Sequence, residues 1–459
     1  MTKDMTAGRP LALIIRFALP IMAGAVLQQL CIIINMLTVG NALGSRAMAA
    51  VGVTDTAVFF STTLALGLTT AFTIVIAQYF GAKDHQSVRK AFVSSLYVCV
   101  ICAAGLAAAG LFGAEPLLKL LNTPEDIRHD AVLYLRIIVG GSAGLIVYNS
   151  AAAVLRAIGD SRTPLFFLLA TSVLNILLAL LFVLVFHLGV MGAALATVIA
   201  QILPAAACAA YLLKRYELFR LRKNDLTPDA RTLGLILKIG LPIGFQSLLL
   251  AVGDMTITGT VNLHGTNVVF AYATGLRVMY LTVMCASMSL AQAFAVFAGQ
   301  NLGARQIGRI QKGFREIVII TVVLCAAATA FVFLSDDLLV RMFVSDGDAH
   351  INELIVITRA NLRITAVFYI FLGLIWLYNN TLRSLGDVAV PFASGLTELA
   401  VKIGMVLLLN FWFGYAGIWF VNPLAWVLGL IPPAIRYHTG GWRKRAERFT
   451  NAEGENAGV

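Results

Sequence analysis

The sequence predicts an all-α integral membrane protein of about twelve transmembrane helices, arranged as two six-helix bundles related by a pseudo-two-fold axis along the membrane normal. Three observations predict it. Of 459 residues, 59% are apolar and 12% charged, and the mean hydropathy of +0.86 exceeds what a soluble domain of this size needs. Apolar runs long enough to cross a bilayer recur along the chain. The chain also repeats itself at about half its length.

The runs lie at about 13–38, 50–77, 91–113, 131–155, 165–187 and 190–213, then at 233–262, 268–297, 314–335, 354–382, 392–413 and 415–437. The repeat links the two sets. Ala18-Leu19-Pro20 returns as Gly240-Leu241-Pro242, and Gln78-Tyr79-Phe80-Gly81-Ala82-Lys83 as Gln300-Asn301-Leu302-Gly303-Ala304-Arg305. Leu155-Arg156-Ala157-Ile158-Gly159-Asp160 returns as Leu382-Arg383-Ser384-Leu385-Gly386-Asp387. These matches predict lobes at 1–213 and 233–440, a polar linker at 214–232 and a tail at 441–459. An even number of spans per repeat makes both copies enter the membrane from one side, which puts the symmetry axis along the normal.

Basic residues set the orientation. Lys83, Arg89 and Lys90 follow the second span; Lys214, Arg215 and Arg220 follow the sixth; Arg305, Arg309 and Lys312 follow the eighth; Arg443 and Lys444 follow the twelfth. The alternate loops are richer in acid, with Glu125, Asp126, Asp336 and Asp337. Cytoplasmic termini are the expectation.

The net charge of +11 therefore reflects membrane topology, and no interleaved basic-aromatic surface points to nucleic acid. The six cysteines all fall in apolar runs, where they read as small buried hydrophobes, Cys99 and Cys102 included. Gly81-Ala82-Lys83 lacks the spacing of a nucleotide loop and reads as a helix end with a cation near its carbonyls. The six histidines are scattered, which argues against a membrane enzyme and against a metal site.

With Phe17-Ala18-Leu19-Pro20, Ala50-Val51-Gly52, the Gly-Ala-Lys/Arg pair, Leu155 to Pro164, Gly192 to Thr197 and Gly414 to Gly417 assembled, the chain resembles the multidrug and toxic compound extrusion (MATE) family over about residues 10–440. The resemblance implies two six-helix bundles opening as a V. It also implies export of organic compounds by antiport against Na⁺ or H⁺, with alternating access and no other cofactor. The expected substrate is an organic cation and the expected state a monomer in the lipid bilayer. A flippase of a lipid-linked precursor is the alternative. Similar chains carry a carboxylate near Asn35 and an Asp four residues after Asn175, where this chain has Ala179. An amide cannot exchange a proton near neutral pH but can bind a cation or substrate.

Ionisable residues inside spans are costly, at least about 2.5 kcal/mol each on insertion scales, so each demands a reason. Asp254 lies 12 residues past Pro242, about 18 Å along its helix, with no base three or four positions away. Cation or proton binding is one reading, an interhelical hydrogen bond the other. Glu398 and Lys402 share a helix face at i,i+4, either as a structural ion pair or as a switchable one; similar chains carry an acid and a base at this spacing. Arg277 is a candidate partner of Asp254 or Glu398. Asp55 reads as a helix-terminus or cleft residue, and Arg136 and Arg363 as interface anchors. Gln28, Gln246, Tyr280, Tyr369 and Tyr378 are candidates to line the cleft, the tyrosines by stacking on flat cations.

Overall fold

The computed structural model describes residues 4–120, 123–221, 226–342 and 351–443; the side chains of 32–49, 55, 56, 60, 64, 120, 126 and 351 are not described. Asn35 and Asp55 thus lie outside the described side chains.

Among the described residues the secondary structure is helical throughout. The helices are α1 (Pro10–Gly81), α2 (His85–Leu120), α3 (Glu125–Gly140), α4 (Ala143–Ala157), α5 (Arg162–Leu180), α6 (Gly189–Arg215), α7 (Ala230–Asn262), α8 (Thr266–Met279), α9 (Cys285–Gly303), α10 (Ile307–Arg341), α11 (Ile351–Val367), α12 (Tyr369–Ser384), α13 (Ala389–Phe413), α14 (Tyr415–Ile418) and α15 (Val421–His438). Among the described residues eleven spans are long and apolar enough to cross a membrane, and twelve if the pair α11–α12, bent by 47°, is one broken span. The protein is a multi-pass membrane protein. One detail differs from expectation. The first two apolar runs, Pro10–Cys31 and Ala50–Gly81, belong to one unbroken helical stretch. After Pro20 that stretch contains no proline and its middle is alanine-rich, so nothing in the sequence forces a break.

The chain divides into two compact units. One is Leu19–Phe245 with Met1–Met5; the other is Gln246–Val459 with Thr6–Ala18.

In the first unit α6 packs along α4, α5 and α3, and α2 packs along α3. Small residues set these distances. A side chain on Gly110 would strike Gly140 and Val139, and one on Gly144 would strike Ile202 of α6. Such contacts let helices approach where lipid supplies no hydrophobic drive to pair them. Arg136 reaches Glu115 at 3.3 Å, tying α3 to the end of α2.

In the second unit α13 packs on α15, α9 on α12, and α8 on α11. Its apolar core joins Val283, Cys325, Val332, Tyr369, Leu372 and Trp426. Arg363 reaches Asp336 at 2.5 Å, the counterpart of the Arg136–Glu115 tie. The start of α1 docks here: Leu11 N donates to Glu316 Oε2 at 3.1 Å and Arg309 Nη1 donates to Gly8 O at 2.9 Å.

The repeat is visible in how helices end. Asp160 N reaches back to Leu155 O and Asp387 N to Leu382 O, with Gly159 and Gly386 in the left-handed conformation (φ 87 and 81°). This is the Schellman closure. The same closure ends α1 and α9, where Asp84 N bonds Tyr79 O and Gln306 N bonds Asn301 O. There the left-handed residues are Lys83 and Arg305 (φ 59 and 58°). The glycines of Gly-Ala-Lys and Gly-Ala-Arg are the last helical residues, and the strained position falls on the cation.

Candidate functional site

The second unit brings together Asp254, Arg383, Glu398 and Lys402 from three of its helices. Along α13, Pro391, Ser394, Gly395, Glu398, Lys402 and Val406 are buried, while Leu396, Ile403, Leu407 and Phe411 are exposed. The polar residues thus occupy the stripe that faces α15 and α12, and the apolar ones face outward, as lipid requires.

Lys402 Nζ donates to Asp254 Oδ1 of α7 at 2.6 Å. The lysine side chain is 5% exposed and the aspartate 56%. Gly253 makes the crossing possible, because a Cβ there would meet Lys402 Cδ and Cβ. Two more glycines carry polar side chains in the same way: Gly429 of α15 lies under Glu398, and Gly395 lies under Gln246.

Glu398 is buried and has Lys402, Asp254 and Arg383 as its electrostatic neighbours. Among the described residues, no ion pair closes onto it. Arg383, in the last turn of α12, donates through Nη2 to Gln246 Oε1 at 2.5 Å. Its Nε is buried without a partner, as is Asn379 Oδ1 one turn earlier. Asn379 Nδ2 donates to Ser394 Oγ, and that hydroxyl donates to Gly429 O. Buried polar groups with unused bonding capacity are uncommon, and they mark places where a structure does something besides pack. Tyr272 stacks on Trp419.

The other expected site residues fall in several places. The structural Glu398–Lys402 pair that the spacing suggests is not formed; Lys402 turns to Asp254 on another helix. Arg277 is exposed on α8 and pairs with neither Asp254 nor Glu398, because its side chain points away from the stripe. Asn175 is buried within α5 of the first unit. Gln246 joins the cluster, whereas Gln28 is exposed. Tyr280 is half-buried and opens a π-helical turn, Tyr280–Met284. Tyr369 is fully buried in the apolar core. Tyr378 packs against Phe314 and Tyr437, and its hydroxyl meets His438 Nε2 at 2.8 Å. These two rings pack in the interior of their own unit, because residues every third or fourth place on α12 face α9 and α15. Asn379 is among the neutral polar residues that the sequence offers as cleft lining, whereas Arg383 and Ser394 are the members that sequence reading passed over. The available signal was the repeated Leu-Arg of Leu155-Arg156 and Leu382-Arg383, which reads as a loop cation but sits in the final helical turn and points inward.

Eleven to twelve candidate spans among the described residues, built from two repeats and carrying an ion pair between helices inside one of them, have the architecture of a membrane transporter. The MatE family pattern matches residues 20–181 and 242–408, one match per repeat, and the chain belongs to the MatE family. It is 32% identical over 448 residues to the "Probable multidrug resistance protein YpnP" of Bacillus subtilis (strain 168), covering 96% of this chain and 97% of that one. It is 24% identical to the "Probable multidrug resistance protein NorM" of Thermotoga maritima, over 94% of this chain and 93% of the relative. Among solved structures, one titled as the outward-facing conformation of a multidrug resistance MATE family transporter aligns with a TM-score of 0.88 and 22% identity, covering 96% of this chain and 99% of that one. At that identity the likeness shows the fold.

Proposed function

We propose that the protein is a secondary active exporter of organic compounds, organic cations foremost, driven by antiport of Na⁺ or H⁺ with alternating access. The relatives named as multidrug resistance proteins support the substrate class. The observation that carries the coupling is the Lys402–Asp254 contact of 2.6 Å beside a buried Glu398 onto which no ion pair closes among the described residues.

One ammonium faces two carboxylates, one exposed and one enclosed. When Asp254 is ionised, it holds Lys402. A proton or Na⁺ arriving at the exposed Asp254 neutralises it, and Lys402 then gains more by turning to Glu398, the remaining anion on its own helix face. A cation taken up at Asp254 is thereby converted into a change of packing between α7 and α13, the kind of two-state element that coupling needs. Asn175 and Asn35 would serve the first repeat as neutral ligands, and Arg277 lies outside the exchange.

The test is uptake of cationic dyes into proteoliposomes with Na⁺ and pH gradients imposed separately. Transport driven by either gradient is the expected result. Dye movement indifferent to both would overturn the reading. Movement of lipid-linked substrates in place of dyes would favour the flippase alternative.

A further inference from the structure

A second polar feature lies in the first unit, far in the chain from the exchange pair. His85, Gln86, Arg89 and Lys90, on the first turns of α2, and Thr227, Pro228 and Asp229, just before α7, enclose a cavity of about 480 Å³. Positions 85, 86, 89 and 90 fall on one helix face, so three basic side chains converge on the cavity against one carboxylate.

The wall opposite is pinned in place. Arg89 Nε donates to Leu218 O at 3.1 Å, Tyr97 Oη donates to Leu226 O at 2.9 Å, and Lys90 Nζ stands 3.9 Å from Asp229 Oδ1. Asp229 spends its other oxygen on Thr232, accepting from its N–H at 2.9 Å and its hydroxyl at 2.6 Å. Arg89 therefore uses one donor on the wall and keeps its Nη atoms. Lys90 holds a long contact that a stronger anion can replace. A guanidinium fork beside an ammonium is a donor set for the tetrahedral oxygens of phosphate.

The cavity's place limits the source of such a group. It sits where the spans Ala50–Gly81, His85–Lys119 and Ala230–Asn262 end or begin, on the loop side carrying the basic residues, and the ends of spans are where a chain meets phospholipid headgroups.

We infer that this cavity binds the phosphate of an anionic ligand, with Arg89 and Lys90 as its principal donors and His85 and Gln86 completing the set. An anionic phospholipid headgroup and a soluble phosphate share this chemistry. The full chain in neutral detergent micelles separates them. Binding and thermal protection are measured with phosphatidylglycerol, with phosphatidylcholine and with inorganic phosphate. Phosphatidylglycerol is expected to bind at least about tenfold tighter than phosphatidylcholine, and Lys90→Gln and Arg89→Gln each to weaken it about fivefold. Protection by millimolar inorganic phosphate, lost in the same variants, would place the source in solution instead. Lys90→Gln leaves the Arg89 tie intact, so its result does not depend on the fold being disturbed. Arg162→Gln, an exposed cation outside the cavity, should leave affinity unchanged. The inference fails if neither phosphate ligand binds, if the Lys90→Gln/Arg89→Gln double variant binds like wild type, or if Arg162→Gln weakens binding equally.

Discussion

Lys402 pairs with Asp254, 148 residues away on α7, and not with Glu398, one turn away on its own helix. Residues at i and i+4 are neighbours on a helix face, so the choice is made by the surroundings. The lysine stem runs across Gly253, which removes the side chain that would block it, and the ammonium emerges at a carboxylate that is itself half open.

Asp254→Asn should abolish ion-driven export while leaving the protein in the membrane. It removes the anion that holds Lys402 in this position and leaves a group that cannot titrate. Proteoliposome uptake under imposed gradients measures it. Wild-type rates in this variant would sink the exchange.

Glu398→Gln should alter the dependence of transport on pH, because Lys402 would then have only one anion to hold. A profile superimposable on wild type would make Glu398 a packing residue. Comparing rates from pH 5.5 to 8.5 at constant Na⁺ is the measurement.

Gly253→Ala should impair transport with little loss of folding. The new methyl group would meet the flexible lysine stem and not backbone, so Lys402 must shift and its contact with Asp254 lengthen. Thermal unfolding close to wild type, together with a transport rate several-fold lower, is the expected pair of results.

Lys83→Gly should stabilise the protein by about 1 kcal/mol, since a non-glycine residue in the left-handed region costs about that much. Gly386→Ala, with open space around the added methyl, should destabilise it by a similar amount for the same reason. Thermal midpoints of the two variants should move in opposite directions.

Thr232 donates to Asp229 through hydroxyl and backbone, which holds the Asp229 carboxyl below its usual range, with Lys90 adding to the effect. A depressed folded-state value means that this contribution is complete above about pH 4, the unfolded value, and is lost as pH falls through the lower folded value. Asp229→Asn should therefore flatten the fall of stability with acid below about pH 4, read as thermal midpoint against pH.

Much of the architecture could be read from the chain because lipid imposes simple rules on sequence. A span needs about twenty apolar residues, a basic loop marks a side, and a duplicated gene leaves duplicated caps. The Pro20/Pro242, Gly159/Gly386 and Asp160/Asp387 correspondences were all visible in one dimension. So were the residues that had to be explained: Asp254, Glu398 and Lys402 are costly in a span wherever their side chains point. Partners were another matter. Whether Lys402 meets Glu398 or Asp254 depends on Gly253 and on the approach of α7 to α13, and the exposed position of Arg277 depends on a rotation of α8 that no local pattern records. Arg383 was hidden for the opposite reason, since a terminal arginine reads as a loop cation until the fold turns it onto Gln246. Hydropathy along the chain marks which residues had to cross the membrane and which were too expensive to be there idly. Which of those charges touch is a matter of helix packing, because contact between helices is fixed by the small residues that let them approach, and sequence distance carries no record of that.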